Sequence, residues 1–228
     1  MWKKLFSTDS KFTQILYKTG EVVILSILWF VTSIPVITIG TSTSALYYTI
    51  VKCIRSGRGY PVKEYFKSWK QNFGKGLILT LFLLAIVVFV AYYLQRLGIS
   101  IEDVLNNEAK SEFFSRSESL VGLSAICAGI AVIAAVLFIY IFPLLSRFNL
   151  SSGRLLAMAF VISIRYFYFS IALMIITVAL VNLVVRLPLG IMFAPGIWAL
   201  VSSTMIEKTM KKYLPEPSPE EDAWWAEL

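Results

Sequence analysis

Histidine is absent from the 228 residues of this chain, and cysteine occurs only twice. Histidine is the commonest metal ligand and general base, so its absence excludes Ser/His/Asp and Cys/His catalytic arrangements. Cys53 lies beside a basic loop and Cys127 inside an apolar run, which predicts reduced, inert thiols rather than a disulfide. The chain also lacks the G-x-x-x-x-G-K-[ST] loop that binds nucleotide phosphates. We therefore expect no enzyme, no metal and no other cofactor.

Charged residues are also scarce, at 15% of the chain against 57% hydrophobic residues. A soluble domain is about 45–50% apolar, so the excess predicts a chain that lies in lipid. The net charge of +7 falls in short clusters beside apolar runs, without a motif for stacking on bases. We therefore expect the lipid bilayer as a partner and no nucleic acid.

Charge-free stretches mark the expected membrane spans, at 22–51, 76–95, 119–146, 166–185 and 187–206. A bilayer core about 30 Å thick needs about 20 helical residues, which suits one helix for each of the last four. The first stretch is too long for one span and contains Pro35 and Gly40. We predict a hairpin of two spans, over 15–33 and 35–54, with a structural break at Pro35, Thr38 and Gly40.

The break admits several interpretations. Thr38 or Thr41 could cap the second helix, or backbone groups freed at the break could bind a ligand. A partly re-entrant pair of short helices is the alternative to two full spans.

The predicted fold is therefore an all-α, polytopic membrane protein with six transmembrane helices. Of the 21 Lys and Arg residues, 17 lie in segments 1–21, 52–75, 147–165 and 207–228. Positive charge concentrates on the cytoplasmic side of membrane proteins, so both termini are predicted to be cytoplasmic. Residues 1–213 form the predicted helical membrane domain, and residues 214–228 form a flexible, acidic, proline-rich tail.

Two cytoplasmic segments carry candidate residues for docking on a partner or on lipid. Aromatic and basic residues alternate at helical spacing before the third span, and two arginines lie before the fifth. The set is Phe66, Trp69, Phe73, Lys63, Lys67, Lys70, Arg147 and Arg154. Such helices lie on anionic lipid or bind another protein, and the two interpretations are compatible.

Three polar residues near span ends are candidate intramembrane sites. Glu21 is either an interfacial residue or a partner of Lys18 or Lys52 across the hairpin. Asn182 and Arg186 lie four residues apart on one helical face, where they line a polar cavity, or bond between helices and reach headgroups. All acidic residues are assigned to span ends or loops, which argues against ion-coupled transport.

The chain resembles the YesL-like family of bacterial integral membrane proteins, which share a domain of unknown function. The resemblance rests on the segments 35–40, 45–47, 143–148 and 195–196, with Phe66, Asn72, Phe73, Lys208, Lys211 and Lys212. It covers nearly the whole chain to about Pro215, and segment 35–40 is its most specific part.

The resemblance implies a multi-pass protein of the bacterial cytoplasmic membrane. Members of the family are typically encoded beside carbohydrate importers of the ATP-binding-cassette type, and no catalytic residues are attributed to them. The first hypothesis is thus a non-catalytic accessory subunit or partner of such an oligosaccharide importer, in contact with its permease subunits. The alternatives are a small autonomous solute transporter or channel, and a membrane sensor or scaffold.

Overall fold

The computed structural model of the protein describes residues 11–96, 118–210 and 212–213, and the regular secondary structure of these residues is helical throughout. The α-helices of this part are α1 (Lys11–Thr32), α2 (Ile39–Thr49), α3 (Pro61–Arg96), α4 (Glu118–Arg147), α5 (Ser152–Arg165), α6 (Phe167–Arg186) and α7 (Ala194–Met210). Two 3₁₀ turns, Val36–Thr38 and Pro188–Met192, precede α2 and α7, and a π-helical turn, Ile50–Arg55, follows α2. The predicted tail, 214–228, lies outside the described residues.

Among the residues that the structure describes, three helices are long and apolar enough to cross a membrane. They are α3 over Pro61–Tyr93, α4 over Ala125–Arg147 and α6 over Phe167–Arg186, and they overlap the third, fourth and fifth predicted spans. The second predicted span is divided between a 3₁₀ turn, the 11-residue α2 and the π-helical turn. The sixth is divided between a 3₁₀ turn and the 17-residue α7. The number of six spans therefore stays a prediction.

The chain breaks between α1 and α2, at the position that the sequence predicts. Helix α1 ends at Thr32, and Pro35 has extended backbone angles (φ −72°, ψ 110°). The Thr38 hydroxyl donates to the Thr32 carbonyl at 2.6 Å and to the Pro35 carbonyl at 2.7 Å. The bond to Thr32 satisfies a carbonyl at the end of α1, whereas the Pro35 carbonyl also accepts the Thr38 backbone N–H at 2.8 Å.

The prediction that a threonine hydroxyl caps α2 is wrong. Thr38 occupies the residue before α2, but its side chain makes no capping bond to that helix. The Thr41 hydroxyl points across to α3 and donates to the Phe73 carbonyl at 3.5 Å.

Helix α2 is buried in the middle of the protein although it is rich in hydroxyl side chains. Its 11 residues span only about 16 Å. The buried set is Gly40, Thr41, Ser42, Thr43, Ser44, Ala45, Leu46, Tyr47 and Thr49. The hydroxyls of Thr43 and Thr49 donate to carbonyls one turn earlier, each at 2.8 Å, so they are satisfied within the helix. Helix α2 is therefore a packing element that meets α3 and α4 rather than lipid.

Glycines allow the helices around α2 to approach closely. A Cβ atom at Gly40 would overlap the Phe142 ring of α4, and one at Gly76 of α3 would lie 2.5 Å from Thr41 Oγ1. Gly196 of α7 meets α1 in the same way. Small residues permit such contacts between helices in membranes. The sequence predicts Gly40 as part of the break, but Gly40 lies inside α2 and serves helix packing.

Helix α3 is a single helix of 36 residues, about 54 Å long. The predicted docking residues from Lys63 to Phe73 and the predicted third span therefore lie on one continuous helix. In contrast, α5 and α6 are separated by Tyr166, which has non-helical backbone angles (φ −114°, ψ 45°). The described core lies where the C-terminal half of α4 meets α2, α3 and α5, and its largest fully buried side chains include Tyr47, Tyr140 and Phe142.

Candidate functional site

Opposite charges from α4 and α7 meet inside the protein, near the ends of both helices. Arg147 Nη2 lies 2.7 Å from Glu207 Oε1, and Arg147 Nε donates to the same oxygen at 3.1 Å. Only 3% of the Arg147 side chain and 7% of the Glu207 side chain are exposed. Tyr47 of α2 donates its hydroxyl to Glu207 Oε1 at 3.0 Å. One carboxylate oxygen thus joins three helices.

A second contact fastens the π-helical turn to α7 close to this ion pair. Arg55 Nη1 donates to the Ser203 carbonyl at 3.0 Å, one turn before Glu207. Burying a charge is costly unless it is paired, so Arg147 and Glu207 depend on each other inside the protein. The arrangement suits a rigid junction between α2, α4 and α7 better than proton transfer, because three donors already occupy Glu207 Oε1.

The sequence contains a signal for this pair that reasoning from hydropathy misses. Arg147 is the first charge after the stretch 119–146, and Glu207 is the first after 187–206. Both stretches are predicted to end on the cytoplasmic side, so the two opposite charges lie at similar depth. The sequence predicts Arg147 as a docking residue, but its burial against Glu207 removes it from the surface.

The predicted docking residues of α3 divide between two faces of the helix. An exposed α3 face carries Phe66, Phe73, Lys63, Lys67 and Lys70. Trp69 is half-buried instead, and its indole N–H donates to Ser42 Oγ at 3.4 Å. Tyr65 is fully buried, with its hydroxyl 2.6 Å from Thr32 Oγ1. The inner face therefore fixes α3 against α1 and α2 and leaves two phenylalanines and three lysines outside.

Helix α5 presents a more apolar surface. Arg154, the remaining predicted docking residue, is exposed near its start. Phe160, Val161 and Ile164 are 47%, 54% and 61% exposed on the following turns. This mixture of a basic start and exposed apolar side chains is typical of helices at the membrane interface.

Of the alternatives for Glu21, the ion pair with Lys52 does not form in this structure. Lys52 Nζ lies 3.1 Å from Glu64 Oε2 and donates to the Tyr48 hydroxyl at 3.2 Å. These contacts tie the π-helical turn to the first turn of α3. Glu21 is half-buried on α1.

Neither Asn182 nor Arg186 lines the two cavities described below, and no bond from either side chain to another helix occurs within the described residues. The Asn182 amide donates to the Val178 carbonyl of its own helix at 2.9 Å, and the side chain is exposed. Arg186 is exposed at the end of α6. Asn182 therefore satisfies its hydrogen bond within α6, contrary to the prediction of a bond between helices.

An apolar cavity of about 330 Å³ lies between α1, α2, α4, α6 and α7. We call it the tryptophan cavity because the indoles of Trp29 and Trp198 form part of its wall. A neighbouring cavity of about 420 Å³ lies between α3, α4 and α6, and the two share Phe138, Ile139 and Thr177 as lining residues. Within the described residues, no three Asp, Glu or Cys side chains are close enough to hold a metal ion.

Residues 22–94 match the family model described as "Protein of unknown function, DUF624". The matched segment contains the break, the buried helix α2 and the exposed α3 face. No curated protein and no solved structure shows significant similarity to the chain.

Proposed function

We propose that this protein is a non-catalytic accessory membrane protein that docks on a partner through the exposed α3 face. The supporting observation is that Phe66 and Phe73 are 38% and 36% exposed beside three exposed lysines. Aromatic side chains supply much of the binding energy of interfaces. Because this face belongs to the helix that continues as the third predicted span, it is held at a fixed position beside the membrane.

The proposed partner is the permease of a carbohydrate importer of the ATP-binding-cassette type. This choice rests on the resemblance to the YesL-like family and on the gene neighbourhood that the resemblance implies. The similarity of residues 22–94 to a family of unknown function is compatible with the proposal and adds no substrate. The identities of the sugar and of the permease are therefore the first points to test.

We also propose six spans in a bacterial cytoplasmic membrane, with both termini in the cytoplasm. Support comes from the concentration of Lys and Arg in segments 1–21, 52–75, 147–165 and 207–228. Three of the spans correspond to helices long and apolar enough to cross a membrane.

Cysteine labelling tests this topology. In a background with Cys53→Ala and Cys127→Ala, we expect a membrane-impermeant thiol reagent to label Asn107→Cys in intact cells. The reagent should label Tyr60→Cys only after the cells are opened. Because Tyr60 is 79% exposed, burial in the protein does not block the reagent, and labelling reports the side of the membrane. Labelling of both positions in intact cells would contradict the proposed topology.

Truncating the two phenylalanines of the exposed α3 face should weaken docking. We expect Phe66→Ala with Phe73→Ala to reduce at least fivefold the permease recovered with a tagged copy from native membranes. The physical reason is the loss of apolar area, at about 25 cal/mol per Å² buried. Charge reversal of Lys63, Lys67 and Lys70 should have a smaller effect, because exposed charges are screened.

A matched control is Phe82→Ala with Phe89→Ala, which has the same spacing on the same helix. These residues are 47% and 51% exposed but lie within the predicted span. Equal loss with both double variants would contradict docking through the exposed α3 face.

Deletion of the gene should lower oligosaccharide uptake or permease abundance. Unchanged uptake of every sugar and unchanged permease abundance would contradict the proposed role as a partner of an importer. Uptake by the purified protein in liposomes would instead support the autonomous transporter.

A further inference from the structure

Helix α6 is loosely seated in the protein. The tryptophan cavity and the 420 Å³ cavity both lie between α6 and its neighbours, and Thr177 of α6 lines both of them. Of the apolar stretch of α6, only 11% is buried. Most of the surface of α6 therefore faces outward, and the space beside it is not filled by the described side chains.

The hydrogen-bond donors of the polar side chains in the tryptophan cavity are all used within the protein. Trp29 Nε1 donates to Thr43 Oγ1 at 3.1 Å, and Trp198 Nε1 donates to Thr177 Oγ1 at 3.0 Å. The two threonine hydroxyls donate in turn to backbone carbonyls of their own helices, at 2.8 Å and 2.7 Å. These four are the polar side chains among the lining residues. Neither indole N–H nor either hydroxyl proton is left for a ligand.

This pairing determines the chemistry of an occupant. A sugar or an ion that entered the cavity would lose its bonds to water and find no free hydrogen-bond donor among these side chains, which is unfavourable. An apolar chain loses no hydrogen bonds on entry and gains dispersion contacts with the indoles and aliphatic side chains. The cavity therefore suits a hydrocarbon.

The mouth of the cavity is continuous with the lipid-facing surface. Val181 and Val185 line the cavity and are also 56% and 76% exposed. They belong to a helix long and apolar enough to cross a membrane, and such a surface meets hydrocarbon. From this continuity and the paired wall, we infer that the tryptophan cavity binds an acyl chain of a membrane lipid. This inference is independent of the proposed importer.

Lipid retention during purification tests the inference. We expect native mass spectrometry of the wild-type protein from mild detergent to show at least one bound phospholipid. Val184→Phe, which fills the cavity, should reduce the lipid-bound fraction at least twofold. Val178→Phe is the matched control, because Val178 is 52% exposed on the same helix and does not line either cavity. Absence of lipid from the wild-type protein, or equal retention by both variants, would overturn the proposal.

A second measurement uses the cavity tryptophans as probes. Replacing Trp2, Trp69, Trp224 and Trp225 with Phe leaves Trp29 and Trp198, so the hydrogen bonds of the wall are kept. In bilayers of lipids with brominated acyl chains, we expect strong quenching of the tryptophan fluorescence. Val184→Phe should lower this quenching at least twofold, and Val178→Phe should leave it unchanged. Equal quenching in both variants would show general contact with lipid and overturn the site. The proposal would also be overturned if the fluorescence responded to maltotriose and not to the brominated lipids, because the cavity would then bind a sugar.

Discussion

Arg147→Ala is expected to lower the free energy of unfolding by about 3–5 kcal/mol, because it leaves the Glu207 carboxylate buried without its counterion. Glu207→Ala should cost a similar amount, since it leaves the guanidinium buried instead. Both side chains are less than one-tenth exposed, so water cannot replace the missing partner. Unfolding in mixed micelles, followed by the fraction of monodisperse protein, measures the loss.

The double variant Arg147→Met with Glu207→Leu distinguishes the effect of the two charges from the effect of the volume that their side chains fill. Replacing both charges by apolar side chains removes the desolvation cost as well as the attraction, so we expect a loss much smaller than either single change. Tyr47→Phe removes only one hydrogen bond to the carboxylate and should cost about 1.5–3 kcal/mol. With Arg147→Met and Glu207→Leu as the matching single variants, additive effects would show that Arg147 and Glu207 do not contact each other.

The long apolar helices are the part of this fold that the sequence predicts best. The stretch 119–146 corresponds to α4 (Glu118–Arg147), and 166–185 corresponds to α6 (Phe167–Arg186). Backbone groups in a bilayer must bond within a helix, and the thickness of the bilayer sets its length, so hydropathy alone locates such helices. The break at Pro35 follows from local chemistry in the same way, because proline cannot donate to the helix.

Helix α2 was harder to predict because its burial depends on neighbours that are distant in the sequence. A run of Gly, Thr and Ser looks like a weak span when only hydropathy is considered. In the structure these small side chains let α3 and α4 approach, with Gly76 against Thr41 and Phe142 against Gly40. The importance of Gly40 therefore comes from the residues that it contacts rather than from helix breaking.

In the candidate site, too, contacts between residues distant in the sequence could not be predicted. The exposed α3 face was predictable from the spacing of lysines and phenylalanines, but Trp69 is fixed by Ser42 of α2, and no local pattern shows that contact. Glu207 was overlooked because charge counting assigns a residue at a span end to water or headgroups. Whether such a charge is buried depends on a partner 60 positions away, Arg147.

Gly40→Ala is also expected to lower the free energy of unfolding, although by less than the loss of either charge of the ion pair. The added Cβ atom would overlap the Phe142 ring and the Thr80 hydroxyl, and both neighbours are buried. Overpacking of this kind typically costs about 1–3 kcal/mol, and we expect the upper end because the added atom meets two buried side chains at once. Unfolding in mixed micelles gives the value.

Gly129→Ala is the matched control, since Gly129 is also helical and a Cβ atom there has no other atom within 4 Å. Alanine is favoured over glycine inside helices by about 1 kcal/mol, so this variant should be as stable as the wild-type protein or slightly more stable. An equal loss for both variants would mean that the cost comes from the helical backbone and not from the contact with α4.

The reciprocal change at Phe142 completes the test of this contact. Phe142→Leu alone should destabilise the protein, because it removes part of a fully buried ring from the core. In combination with Gly40→Ala, the smaller side chain gives the new methyl group room, so the double variant should lose less stability than the sum of the two single losses. Side chains in contact show such coupling, whereas distant ones add. Strict additivity would show that α2 and α4 do not meet at Gly40, and the close packing of the buried helix would then have to be revised.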